Sequence, residues 1–162
     1  MGQFRKFKLA THADDRFSLT PLEVKEQLDF IIKRVYAITQ GKKPTGSHCH
    51  KVERECFICF QGGVTAAIDD GSGLKDVPLQ AGEAIYVGPY VWHHFKDWAP
   101  NTVLVALSST TYNPQREDYI NDYQEFKRLA ISSRTISVRS RTLATKTAYG
   151  LRDAALAVTG QK

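Results

Sequence analysis

Between residues 30 and 110 the chain runs through short apolar, β-branched stretches, each ended by a turn signal, with no helical period between them. Phe30–Thr39 (FIIKRVYAIT) ends at Gly41-Lys42-Lys43-Pro44, and Glu55–Phe60 (ECFICF) is closed by Gly62-Gly63. Val64–Ile68 runs into Asp69-Asp70-Gly71-Ser72-Gly73, a strong hairpin signal. Val77–Leu79 leads to Ala81-Gly82, Ala84–Val87 stops at Gly88-Pro89, and Val103–Ser108 closes the series. Strands at spacings of roughly 8–12 residues, unbroken by helices, predict an antiparallel sandwich or barrel. The character then changes. Asp118–Leu129 sets Tyr119, Tyr123 and Phe126 at helical spacing, which predicts one short helix after the β domain, its aromatic stripe used for packing.

A chain of 162 residues suits a single domain. Its net charge of +5 would suggest a polyanionic partner if it were spread over the fold, but it is not. Residues 1–128 hold equal numbers of basic and acidic side chains, and residues 129–162 hold Arg134, Arg139, Arg141, Lys146, Arg152 and Lys162 against Asp153 alone. The sequence therefore divides into a neutral domain, 1–129, and a basic Ser/Thr/Ala-rich extension, 130–162. The extension reads as a loosely docked segment; a tail that meets an acidic partner and a helix completing the domain stay open beside it. No nucleic-acid partner is expected. No stretch approaches the ~18 apolar residues of a membrane span, and the polar N-terminus does not read as a secretory signal. Three cysteines argue against a disulfide scaffold and suit a reducing cytoplasm. Cys56 and Cys59 match C-x-x-C, but positions three apart on a strand face opposite sides, so packing is expected of both.

The chemistry is concentrated in Gly46-Ser47-His48-Cys49-His50. Residues two apart on a strand share a face, so His48 and His50 project together as a metal site or a proton-handling site. Glu55 and Gly62 follow, and Gly82, Pro89 and His93 come later in order. This pattern resembles the two short motifs of the cupin superfamily, small antiparallel barrels of jelly-roll topology. The resemblance implies a mainly β fold: a cupin-type barrel, one short helix, then the basic extension. His48, His50, Glu55 and His93 would make a three-His, one-carboxylate set suited to Fe, Mn, Ni or Zn. A metal-dependent cupin enzyme, a dioxygenase or isomerase, is therefore one alternative, and a non-catalytic carbohydrate-binding cupin is another.

A narrower resemblance rests on four segments in order: Ile32-Lys33-Arg34-Val35-Tyr36, Gly46-x-His48-x-His50-Lys51, Tyr86-Val87-Gly88-Pro89-x-x-Trp92-His93, and Asp118-Tyr119-Ile120 with Tyr123-x-x-Phe126. From about Asp15 to Leu129 the chain resembles the nucleotide-sugar 3,4-ketoisomerases, the WxcM-like or FdtA-type proteins. That resemblance implies a cytoplasmic homodimer without metal or other cofactor, acting on dTDP-4-keto-6-deoxyglucose in deoxyaminosugar biosynthesis for surface polysaccharide. Moving a ketone from C-4 to C-3 means removing the C-3 proton, passing through an enediol and reprotonating C-4. A group with pKa near 6.5 can take and return that proton near neutral pH. His50 is the favoured carbon base, with His48 beside it; Tyr36 is implied as the donor and acceptor for the sugar oxygens. His93 would orient the sugar, Arg34, Lys51 or Arg16 would meet the diphosphate, and Trp92, Tyr90 or Trp98 would stack on the thymine. The chain departs from the family pattern in three places: Thr45 replaces an arginine, Glu55 replaces a glutamine, and Asp14-Asp15-Arg16-Phe17 lacks a following glycine.

Overall fold

The computed structural model describes residues 3–130. Its elements in chain order are β1 (Phe4–Lys8), β2 (His12–Ala13), β3 (Ser18–Leu19), α1 (Val24–Gln27), β4 (Arg34–Thr39), β5 (Thr45–His50), β6 (Glu55–Gln61), β7 (Gly63–Asp69), β8 (Lys75–Gln80), β9 (Glu83–Val87), β10 (Trp92–Lys96), β11 (Val103–Ser108) and β12 (Tyr119–Ile120). A final helix, α2, covers residues 123–130. Two five-stranded antiparallel sheets form, ordered β1-β9-β6-β11-β4 and β12-β5-β10-β7-β8. Their inner faces supply one core, with Phe57, Cys59, Leu79, Ile85, Phe95 and Leu104 at its centre. This is the expected antiparallel barrel with a helix behind it. No described helix is long and apolar enough to cross a membrane.

The crossover from one sheet to the other, between β6 and β7, turns on Gly62. Its φ is +73°, and an added Cβ would lie 2.5 Å from Thr102 Oγ1, so only glycine fits that corner. Thr102 Oγ1 in turn accepts from Gly63 N at 3.1 Å and donates to Ala99 O at 2.7 Å, tying the loop before β11 to the start of β7. Cys56 packs on the outer face of the first sheet with Ile58 and Tyr86, while Cys59 packs in the inner core, as alternation requires.

Two expectations are corrected. The strand expected over Phe30–Thr39 begins only at Arg34, because Phe30 and Ile32 turn aside to cover the outer face of the first sheet beside Leu28, Cys56 and Tyr86. The helix expected from Asp118 begins at residue 123. Tyr119 and Ile120 instead pair with His50 and Cys49, which extends the second sheet by a strand. The helix starts where Asp122 can cap it, its Oδ1 accepting from Gln124 N at 2.7 Å and Glu125 N at 3.3 Å. The aromatic stripe does pack, Tyr123 and Phe126 lying against Trp92. The basic extension and its possible helix lie outside the described residues, apart from Ala130.

Candidate active site

The site lies between the sheets where β4, β5, β6, β10 and β12 converge. On β5, Gly46 (φ +104°) and Ser47 (φ +45°) form a bulge against β10: His48 pairs with His93 and Thr45 with Phe95, so four residues of β5 span three of β10. An added Cβ on Gly46 would lie 2.9 Å from His94 Cα, so the close approach also requires glycine. Beyond the bulge His48 and His50 face inward together, with Nε2 atoms 3.1 Å apart, and Cys49 faces outward into the Trp92–Phe126 cluster. His93 stands across from them on β10, and Glu55 and Tyr36 complete the floor from β6 and β4. Tyr36 Oη donates to Glu55 Oε1 at 2.8 Å. The other oxygen, Glu55 Oε2, lies 3.4 Å from His50 Nε2 and 3.6 Å from His93 Nε2 but has no hydrogen-bond partner among the described residues. A cavity of about 450 Å³ opens above, lined among others by Tyr36, His48, His93, Tyr112, Arg116 and Tyr119.

The ring geometry assigns the tautomers. His48 Nδ1 faces the Gly46 carbonyl and donates to it, which leaves its Nε2 to accept from His50. His50 Nδ1 donates to Asp118 Oδ2 at 3.0 Å, with Glu53 Oε2 at 3.4 Å. His50 therefore donates from both nitrogens, the arrangement of an imidazolium. Burial works against its charge, yet Glu55, Glu53 and Asp118 outweigh it, and the His50 pKa stands above the ordinary histidine value. His48 is driven the other way. Burial, then the neighbouring His93, bring it down to about 3, so it is neutral at pH 7. Glu55 is almost wholly buried, which would raise its pKa, but His50, His93 and the Tyr36 hydroxyl bring it down to about 2. Burial, then the Glu55 charge, raise the Tyr36 phenol, which keeps its proton. The result is an ionised carboxylate, one charged and one neutral imidazole, and a protonated phenol in mutual reach.

Asp118 is held as firmly as it holds His50. Its Oδ1 accepts from Lys51 N at 3.0 Å and Val52 N at 2.8 Å, and its Oδ2 also accepts from Glu53 N at 3.3 Å. The chain after β5 thus wraps the carboxylate that orients the last residue of β5. Glu53, itself buried, is neutralised by Arg34 Nη2 at 2.7 Å and also accepts from Ser108 Oγ. Sequence reasoning misses Asp118, Glu53, Tyr119 and Arg116. Asp118 and Tyr119 stand in one of the four segments that carry the family resemblance, but only the pairing of β12 with β5 brings them to the histidines. Tyr119 lies against both imidazoles, 4.6 Å from His48 and 4.4 Å from His50 between ring centres.

Of the expected site residues, Tyr36, His48, His50 and His93 come together. Arg34 sits at the edge, its guanidinium 5.0 Å from the Tyr36 ring, but its charge is engaged by Glu53. Three others lie elsewhere. Trp92 is corrected: being adjacent to the inward His93 it must face outward, and it is buried under α2 rather than open to a nucleobase. Lys51 turns away, its Nζ donating to Glu117 O at 2.9 Å. Arg16 is exposed and paired with Asp14 at 2.6 Å, outside the cavity of this chain. His50 is 3% exposed and stands behind His48, which is the histidine that lines the cavity. The ligand atoms of His48, His50, Glu55 and His93 lie within 4.8 Å of one another, close enough to surround a divalent cation. In this arrangement, however, Glu55 Oε1 is taken by Tyr36 and the facing His48 and His50 nitrogens by each other.

Comparison with known proteins identifies the family. The family model described as WxcM-like, C-terminal (FdtA) matches residues 3–131. A relative from Aneurinibacillus thermoaerophilus named TDP-4-oxo-6-deoxy-alpha-D-glucose-3,4-oxoisomerase is 36% identical over 118 residues, covering 71% of this chain and 84% of the relative. The crystal structure of QdtA, a sugar 3,4-ketoisomerase from Thermoanaerobacterium thermosaccharolyticum in complex with TDP, superposes with a TM-score of 0.72 at 32% identity, over 80% of this chain and 96% of that one. A 3,4-ketoisomerase from Helicobacter canadensis gives 0.70 at 29% identity, over 78% and 96%. The chain belongs to the WxcM-like, FdtA-type family of nucleotide-sugar 3,4-ketoisomerases.

Proposed function

We propose that this chain is an isomerase that moves the keto group of TDP-4-keto-6-deoxyglucose from C-4 to C-3. One observation carries the reading beyond the family resemblance: a buried imidazole pair, joined nitrogen to nitrogen, with a carboxylate behind it and a cavity in front. Neutral His48 faces the sugar, and as the His50 Nε2 proton shifts from its lone pair toward Glu55 Oε2 the freed His48 Nε2 takes the C-3 proton. An enediolate forms as the C-3 proton leaves and the O-3 proton passes to O-4, with the Tyr36 hydroxyl and Glu55 Oε1 bridging the two oxygens; collapse to the C-3 ketone then accompanies protonation of C-4. Return of the stored proton to C-4 completes the isomerisation, with no net gain or loss of protons. General acid–base help of this kind is worth about 10²–10⁴-fold.

The active form in this reading is a cytoplasmic homodimer. Three buried free thiols suit a reducing compartment. Val35 and Phe60, on the outer face of the first sheet, are 61% and 44% exposed and offer apolar surface to a second copy. Incubating the protein with TDP-4-keto-6-deoxyglucose in D₂O and following the sugar by NMR tests the proposal. A 3-keto product whose C-4 hydrogen comes from C-3 or, where the pair exchanges with solvent first, from D₂O supports it, and His50→Asn should nearly abolish turnover. Deuterium at C-5 alone would indicate an epimerase, and activity lost to a chelator would indicate metal chemistry; either outcome defeats the proposal.

A further inference from the structure

A nucleoside diphosphate brings at least two negative charges into its site, and a cavity that accepts one needs donors that are not already spent on the protein's own carboxylates. Arg34 is spent: Glu53 holds it at 2.7 Å, and it borders a smaller neighbouring cavity rather than the main one. Lys51 and Arg16 are turned elsewhere. Among the described residues, the one permanently charged side chain lining the main cavity is Arg116. Thr45, on the same wall set, contributes no charge.

Arg116 is also presented for use. It makes no ion pair among the described residues, and its guanidinium carbon lies 4.2 Å from the centre of the Tyr119 ring. That stacking holds the planar group in place through its face and leaves its N–H edge available. The backbone is pinned on both sides, Arg116 N donating to Asn113 O at 3.1 Å and Tyr119 N donating to Arg116 O at 3.0 Å. At φ +54° the residue occupies the left-handed region, a conformation rarely taken by a long side chain unless its surroundings dictate it. Tyr119, on which it rests, touches both His48 and His50.

We propose that Arg116 is the residue that anchors the substrate's diphosphate, its guanidinium donating to phosphate oxygens while Tyr119 supports it from below. The assignment rests on the sugar-nucleotide reading of the cavity given above. It places the substrate's charge at the Tyr112–Arg116–Tyr119 side of the opening and the sugar over His48 and Tyr36. Since Arg116, Asp118 and Tyr119 belong to one short turn, the same turn carries the anion anchor, the carboxylate that orients His50 and the ring that supports both imidazoles.

The test is calorimetric titration of the full-length protein with TDP, together with steady-state kinetics, for the wild type, Arg116→Gln and Arg116→Lys. Loss of charge-assisted hydrogen bonds should weaken TDP binding and raise KM by about 10- to 100-fold in Arg116→Gln. The change in kcat should stay within about threefold, because the lost contact is remote from the reacting carbons. Arg116→Lys should recover part of the affinity. Raising ionic strength should weaken TDP binding to the wild type more steeply than to Arg116→Gln, a response that a purely structural role would not produce. All three proteins should melt alike, which separates a binding defect from misfolding. Arg116→Gln binding TDP as tightly as the wild type overturns the assignment while leaving the isomerase reading intact. A wild type that neither binds TDP nor converts the keto sugar overturns both.

Discussion

Asp118→Asn probes the site without changing its shape, and the hydrogen bonds around that carboxylate dictate its effect. The aspartate accepts four: two at Oδ1, from Lys51 N and Val52 N, and two at Oδ2, from Glu53 N and His50 Nδ1. An asparagine has one oxygen and one NH₂. Its better orientation keeps the oxygen on Lys51 N and Val52 N and turns the NH₂ toward Glu53 N and His50 Nδ1. The reverse orientation would set two backbone donors against the NH₂, a worse conflict. In the better orientation His50 must offer a lone pair at Nδ1, which fixes it as the neutral Nε2–H tautomer; passing that Nε2 proton to Glu55 would then leave an imidazolate, so the step is blocked. Glu53 N loses its partner at a cost of about 1–3 kcal/mol in stability. The catalytic loss should match the removal of general acid–base help, about 10²–10⁴-fold in kcat, or about 3–5.5 kcal/mol in the barrier. Initial rates by NMR give kcat, and long-range ¹H–¹⁵N imidazole spectra report the tautomer directly. A variant that turns over within tenfold of wild type, or one whose His50 still carries its Nδ1 proton, would refute the argument.

Tyr36→Phe removes the donor to Glu55 Oε1 and leaves both oxygens of a buried carboxylate without a hydrogen-bond partner; kcat should fall about 10²-fold or more with KM little changed, and an unchanged rate would reduce the residue to packing. Trp92→Phe should lower the melting temperature, because the ring is buried under α2, but leave KM unaltered; a clear rise in KM would return Trp92 to the substrate. Acid should destabilise the fold in two steps. His48 is held down to about 3 from an unfolded value of 6.5, so the folded state binds fewer protons and its stability is complete above pH 6.5 and declines below it. Glu55, held down to about 2 from 4.5, adds a second decline below pH 4.5. Thermal melts from pH 7 to pH 4 should therefore fall steadily, and a flat profile would contradict the assigned protonation states.

Local signals make the barrel legible. Alternating apolar runs between glycine-rich turns mark β6, β7, β9 and β11 within a residue or two, and the His-x-His spacing correctly places two imidazoles on one face. Missing is whatever depends on pairing across long separations. Asp118 lies 68 residues from His50 in the chain, and nothing local distinguishes it from an acidic residue opening a helix, a role that Asp122 performs four residues later. Trp92 misleads for a related reason. Its neighbour His93 faces the cavity, and alternation alone sends Trp92 outward, but β10 is hard to recognise in Trp92–Lys96 because its polar residues mask the period. Arg34 and Glu53 show a third kind of gap. Each looks available in sequence, and only the folded register reveals that one neutralises the other.

The bulge at Gly46 and Ser47 has a consequence for how function is encoded. Before it, the inward positions of β5 are odd-numbered, as at Thr45; after it they are even-numbered, as at His48 and His50. Backbone pairing is indifferent to this change of parity, since either set of residues would allow a strand to pair with β10. Chemistry is not indifferent. Were β5 to pair without the bulge, the whole distal half would slip by one, presenting Cys49 to the cavity and turning both histidines out beneath α2. The bulge thus sets at once which side chain packs beneath α2 and which imidazoles reach the cavity, and a single added methyl group at residue 46 presses against the backbone of β10 that it lies on.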